Sequence, residues 1–342
     1  MGTRGSARTP RRPGGARTGV AALLLVVLTL TASVACTAPP TPRPPDPVPA
    51  PAPVVPGPTP PGPPVAAPDV LPSRIEAFLS ASRWGRYDRV SRVLVRVEGR
   101  TVVDRRRPSA PEQRREVNGF TAAVLVALVG VLLDRGDLGT EGLRGARQPV
   151  AALLPATAPS PLPEPLASVA AVRLHDVLVG TSADDTSALA ALLTAATGRP
   201  VPDLARELLF APLGIDPPWT GQGPAVTAEE MAAVAALWLD RGAVGGRQVV
   251  PAGWMDLAVR PYSETGRRSL PYAGYRQWLT RADRHAAVVL TGDDGQLVEV
   301  VPGLDLVVVV SCDEDPTPAP AIPAGSEAFV ELVASLVVPA LS

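Results

Sequence analysis

The chain has 342 residues, 46% of them hydrophobic and only 4% aromatic, with 32 basic and 33 acidic side chains. That supplies a core for one large domain or two modest ones, and a charge so close to balance argues against a nucleic-acid-binding surface. Every basic side chain is an arginine, so any mechanism that needs a lysine amine is excluded.

The amino terminus carries five arginines and no acid within residues 1–17, then an apolar run from Gly19 to Ala35, then Cys36 after the small residues Ala32-Ser33-Val34-Ala35. These are the charged region, apolar region and cleavage site of an export signal. A cysteine at that junction is expected to become the acylated first residue of a bacterial lipoprotein, tethered by lipid to the outer face of the cytoplasmic membrane. Ordinary cleavage after Ala35 and an uncleaved anchor are the two other readings. Removing residues 1–36 takes away five of the 32 basic and none of the 33 acidic side chains, leaving a formal charge of −6. Cys312 is then the only thiol, and no disulfide framework is expected.

Residues 37–72 contain 17 prolines in 36 positions and no apolar periodicity. This reads as a polyproline stalk with a reach on the order of 110 Å. Order is expected from Ser73, as a helix with Ile75, Phe78 and Leu79 on one face and Ser73 as its cap. Two alternating runs joined at Glu98-Gly99-Arg100 predict a hairpin. Residues 117–135, apolar all round and closed by Gly136, predict a helix buried inside the domain. An alanine-rich helical stretch follows, about 137–262. Three strand-like runs come next, "PYAGYRQWLTR", "AAVVLTGDDGQLVEVVP" and "LDLVVVVSC", before a closing amphipathic helix. The order implies an α+β fold: an antiparallel sheet completed by both chain ends, flanked by helices, with an inserted all-helical subdomain.

Several stretches in this order resemble the serine β-lactamase and penicillin-binding superfamily, nearest to its class C-like esterases and 6-aminohexanoate-oligomer hydrolases. "VLVRVEGRTVVDRR" is similar to the first hairpin of that family, "LVGVLLDRGDL" to the end of its catalytic helix, and "VRLHDVLVGTSA" to the segment after it. "TGRPVPDLARELLFAPLGI" resembles its helix leading to a Pro-Leu-Gly turn, "VTAEEMAAVAALWLDRGAVGGRQVVPAGWMDLAVRP" its late helical segment, and "GDDGQLVEVVPGLDLVVVV" its final hairpin. The resemblance spans roughly residues 73–339 and implies a β-lactamase/transpeptidase-like domain.

The family's chemistry uses a serine and, three residues on, a lysine on one helix face, a Tyr-x-Asn or Tyr-x-Ser relay, and a Lys- or His-Thr-Gly strand. Counting back from Gly130 places Gly119 at the serine position and Ala122 at the lysine position, both without functional groups. None of Tyr87, Tyr262, Tyr272 and Tyr275 begins a Tyr-x-Asn. The strand motif keeps Thr291 and Gly292 but has Leu290, or Asp293 in the alternative register, where the cation belongs. The resemblance thus implies a catalytically degenerate envelope protein that binds a ligand or partner through the cleft near Gly119, Thr291, Gly292 and Gln296. A cell-wall fragment or an envelope protein is the expected partner. The alternative is a hydrolase with relocated chemistry, for which Ser182 with His175 is the candidate pair. His285 reads as a structural residue of a strand edge. Two distant histidines and one thiol form no metal cluster, the glycine-rich pieces lack a phosphate-loop setting, and no cofactor is expected.

Overall fold

The computed structural model describes residues 71–81, 90–106, 114–139, 142–180, 183–221, 223–292, 296–312 and 329–341. All lie in the larger of the chain's two compact units, Ala52–Ser342. The export signal, Cys36 and the proline stalk lie outside the described residues. Among those described, no helix is long and apolar enough to cross a membrane.

Helix α1 (Leu71–Ala81) starts two residues earlier than the sequence suggests, so Ser73 sits inside its first turn rather than capping it. Burial decides this: Leu71 and Ile75, one turn apart, both insert fully into the core. Strands β1 (Val90–Val97) and β2 (Arg100–Arg106) form the expected hairpin, turning through Glu98 and Gly99 at positive φ. The two-residue β3 (Arg115–Glu116) leads into α2 (Asn118–Arg135). Apolar on every side, α2 is enclosed on every side. It stops at Gly136, whose left-handed φ of 78° lets its N–H reach the Leu132 and Leu133 carbonyls.

The helical middle runs through α3 (Leu166–Val169), α4 (Leu174–Val179), α5 (Ala183–Thr197), α6 (Val201–Ala205) and α7 (Ala211–Leu213). A small sheet of β4 (Trp219–Thr220) and β5 (Gly223–Val226) joins β3. Then come α8 (Ala228–Leu239), the hairpin of β6 (Ala243–Val244) and β7 (Arg247–Gln248), and α9 (Ala252–Ala258). Helix α8 opens with a full capping box between Thr227 and Glu230.

The last strands are β8 (Ser263–Glu264), β9 (Tyr272–Ala273), β10 (Trp278–Ala282), β11 (His285–Thr291), β12 (Leu297–Val301) and β13 (Leu306–Cys312). They join the first hairpin in one eight-stranded antiparallel sheet ordered β2-β1-β13-β12-β11-β10-β9-β8. Both ends of the chain therefore complete it, as the element order implies. Alternation along each strand sends side chains to two cores. Leu94, Val288, Leu290, Val298 and Val309 meet α2 and the helical layer. Val95, Val289, Leu297 and Val308 meet α1 and the closing helical segment, 329–340.

Candidate functional site

The start of α2 lies directly against the end of β11. Gly119 is the point of closest approach: a Cβ there would stand 2.0 Å from the Thr291 carbonyl oxygen and 3.0 Å from its carbon. Real Cβ contacts do not fall below about 3.0 Å, so this position admits glycine alone unless backbone moves. Ala122, one turn on, is buried, as is Phe120. Between them Thr121 turns its hydroxyl toward Gly223 on β5, where it is buried and makes no hydrogen bond.

The three residues expected to line a binding cleft, Thr291, Gly292 and Gln296, are brought together but buried. The Gly292 N–H donates to the Gln296 carbonyl at 2.8 Å, and the Thr291 hydroxyl accepts from Trp278 Nε1 at 3.2 Å. The Gln296 side chain lies beside Gly292 and Val117, 1% exposed, with neither amide oxygen nor nitrogen hydrogen bonded. Leu290 packs into the α2 core. Asp293, the other residue considered for the cation's place, lies outside the described residues.

Farther along α2, Gly130 leaves a slot for the indole of Trp254 on α9, which would sit 2.1 Å from any Cβ there. The fully buried Trp254 donates through Nε1 to the Val126 carbonyl at 2.8 Å. The indole also tilts against Tyr275, and so begins an aromatic cluster. Tyr275 stacks on Tyr262 at 4.9 Å, and His175 of α4 meets the edges of both. Burial raises both phenols, Tyr275 the farther; Tyr262 adds to the rise at Tyr275, whereas Tyr275 works against the rise at Tyr262. His175 is thus packed against two tyrosines about a hundred positions downstream, and its Nδ1 lies 2.9 Å from the Tyr275 hydroxyl.

Ser182, the other half of the alternative catalytic pair, lies outside the described residues. Its flanks are held by Arg276, a residue at positive φ in the β9–β10 link. The buried Arg276 guanidinium donates to the Gly180 carbonyl and the Thr186 hydroxyl and lies 3.5 Å from Asp185. His285 begins β11 with its Nδ1 side toward Gly303 and a buried, unbonded Nε2. Among the described residues no group of three or more His, Cys, Asp or Glu could hold a metal ion.

The sheet's other face carries a group that sequence reading passed over. Glu299, at the middle of β12, points away from α2 between Val289 and Val308 of the neighbouring strands. It is fully enclosed and neither carboxylate oxygen has a hydrogen bond, so burial pushes its pKa well above the ordinary carboxylate range. Its signal in the sequence is an acid inside a strand flanked by valines.

Sheet order, helical insert and the α2–β11 seam together define the fold of the serine β-lactamases and penicillin-binding proteins. No known family model matches the chain, and no curated protein matches it by sequence. Solved structures do match it. A class C β-lactamase from Rhodobacter sphaeroides superposes with a TM-score of 0.57 at 15% identity, covering 79% of this chain and 99% of that one. The octameric penicillin-binding protein homologue from Pyrococcus abyssi gives 0.56 at 12% identity, covering 78% and 77%. A Bacillus anthracis protein described as a 6-aminohexanoate-dimer hydrolase gives 0.52 at 15%, covering 77% and 81%.

Proposed function

We propose that this chain is a non-hydrolytic envelope protein that uses the β-lactamase fold to bind a ligand or partner, without forming an acyl-enzyme. The observation that carries this reading is the approach of Thr291 to Gly119. A serine hydroxyl at this helix position has no room, and the position one turn on offers a buried methyl group instead of an amine. Nucleophile, base and the space between them are missing together, whereas a recently damaged enzyme would lose one functional group and keep the cavity.

Gln296 is buried at this end of the domain with neither amide group satisfied, which costs on the order of 2 kcal/mol or more; a bound group that both donates and accepts would satisfy it once the side chain turns outward. A cell-wall fragment or a second envelope protein fits the proposed location, which rests on Cys36 as lipid anchor and residues 37–72 as spacer. The hydrolase alternative, with Ser182 and His175, is tested by turnover. Purified protein is incubated with a chromogenic β-lactam and with p-nitrophenyl esters; the binding reading expects no hydrolysis above buffer. Turnover abolished by Ser182→Ala would replace it with the hydrolase.

A further inference from the structure

Strand register aligns one side chain from each of six neighbouring strands in a row on the sheet face opposite α2. Trp278 of β10 lies opposite Val289 of β11, Val289 opposite Glu299 of β12, Glu299 opposite Val308 of β13, Val308 opposite Val95 of β1, and Val95 opposite Val103 of β2. Glu299 is the only ionisable member of this row. It is wholly buried, and neither carboxyl oxygen has a hydrogen-bond partner among the described residues. A protonated carboxyl can stand there at the cost of its unmade hydrogen bonds, whereas a carboxylate requires donors or water.

Among the described residues no charged or titratable group is placed to pair with it. His285 and Cys312 alternate to the same face, but each lies four residues along its strand from the neighbour of Glu299, about 13 Å at strand spacing. Glu76 of α1 and Arg105 of β2, three strands away, pair with each other. Arg74 of α1 and Glu331 of the closing segment are exposed, and Arg281 of β10 is exposed on the other face, alternating with Leu279. Two elements cover this face: α1 packs on β2, and the closing segment packs on β10 and against α1. In the sheet order β12 stands two strands from β10 and three from β2, which puts Glu299 on the closing segment's side. That segment adds no strand to the sheet, so lifting it breaks no ladder hydrogen bond. It is a π turn, Val333–Val337, followed by a 3-10 turn, Val338–Ala340, instead of regular α-helix. Phe329, Val330, Leu332, Val333, Val337 and Val338 hold it by apolar contact with the core that contains Val289 and Val308.

We infer that Glu299 and the closing segment form a proton-operated cover: the segment is docked while Glu299 is protonated and lifts from the sheet when Glu299 ionises, admitting water to the carboxylate. The cover opens as pH rises. Burial sets the docked-state pKa above the ordinary carboxylate range, so at every pH between the lifted-state and docked-state values the lifted form binds fewer protons and is favoured by raising the pH. The device lies on the sheet face opposite α2 and does not depend on the binding reading given for the α2–β11 seam.

The test is hydrogen exchange of the full chain, read by mass spectrometry from about pH 5 to about pH 9, with each rate divided by the intrinsic rate at that pH. Above about pH 4.3, the value for a solvated glutamate, each further unit should make opening about tenfold more frequent until the docked-state pKa is passed. Protection of the 329–340 amides should therefore fall about tenfold per unit, while protection in α2 stays higher throughout. Glu299→Gln should hold the segment's protection constant across the range. A flat profile in the wild-type segment would overturn the proposal. So would a fall shared with α2 at equal protection, which would make release a property of whole-domain unfolding, or a fall in α1 without one in the segment, which would assign the cover to α1. The wild-type comparison of segment, α1 and α2 decides the matter even if Glu299→Gln does not fold.

Discussion

The carbonyl oxygen of Thr291 stands 2.0 Å from the place a Cβ on Gly119 would occupy. The obstacle is backbone on a central strand, so a side chain can enter only if the first turn of α2 or the end of β11 moves. Gly119→Ala should therefore cost about 1–3 kcal/mol or more of stability, read from urea unfolding. Gly119→Ser with Ala122→Lys should be less stable still, since the amine would be buried at Ala122. That double variant should gain no β-lactam acylation. Wild-type stability in Gly119→Ala would show that the seam is loose.

Trp254 and Gly130 make a second such fit, and Gly130→Ala should displace the indole from its slot on α2. Loss of a fully buried indole's packing and of its hydrogen bond to the Val126 carbonyl puts the cost at about 3 kcal/mol or more. A red shift or quench that fails to appear in tryptophan fluorescence, with unchanged stability, would contradict the fit.

Glu299 makes stability fall as pH rises. Its pKa in the fold lies above the unfolded value of about 4.3. Its contribution is therefore complete below that pH and is lost progressively as pH climbs toward the folded value. Glu299→Gln removes the ionisation while keeping the shape. The variant's gain in melting temperature over wild type should grow between about pH 5 and pH 8. Parallel curves across that range would mean that the carboxyl is not buried as described.

Arg92 is held by two acids at once. It lies 2.8 Å from both oxygens of Asp104 on β2 and also bonds Glu229 on α8. Its own side chain is 7% exposed, whereas those of the acids are 44% and 41% exposed. Either acid alone can still pair the guanidinium, so Asp104→Asn and Glu229→Gln should each cost about 1 kcal/mol. The double variant should exceed their sum, because it removes both carboxylates that pair with the buried guanidinium. Simple additivity in a double-mutant cycle would refute this coupling.

Much of the architecture was legible in the chain. The alternation in β1, β2 and β11–β13, the turn at Glu98-Gly99 and the all-round apolar α2 each follow from local physics, and their order implied the sheet. The closing helix was legible for the same reason. Long-range approaches were not. Nothing local says that Gly119 meets Thr291, that Trp254 reaches Val126 128 positions away, or that Tyr275 caps His175 100 positions away. Ser73 looked like a cap because capping is a local pattern, but the burial of Leu71 extended the helix past it. Glu299 drew no notice because an acid inside an alternating strand ordinarily lies on the wet face of a sheet; here apolar cores lie on both faces.

Gly119 and Ala122 lie in the first turns of α2, yet the sequence could only show that they carry no functional group. It could not show that the space had closed or that Thr291, Gly292 and Gln296 face inward. Those facts depend on strand and helix meeting across the domain.

The most direct test of the central claim is the intact mass of the purified protein after exposure to a fluorophosphonate and, separately, to a reactive β-lactam. The account predicts the unmodified mass in both cases, because no activated serine is present at the start of α2. A single stoichiometric adduct with either reagent, mapped by digestion to Ser182 or to any other serine and lost on its replacement by alanine, would contradict it.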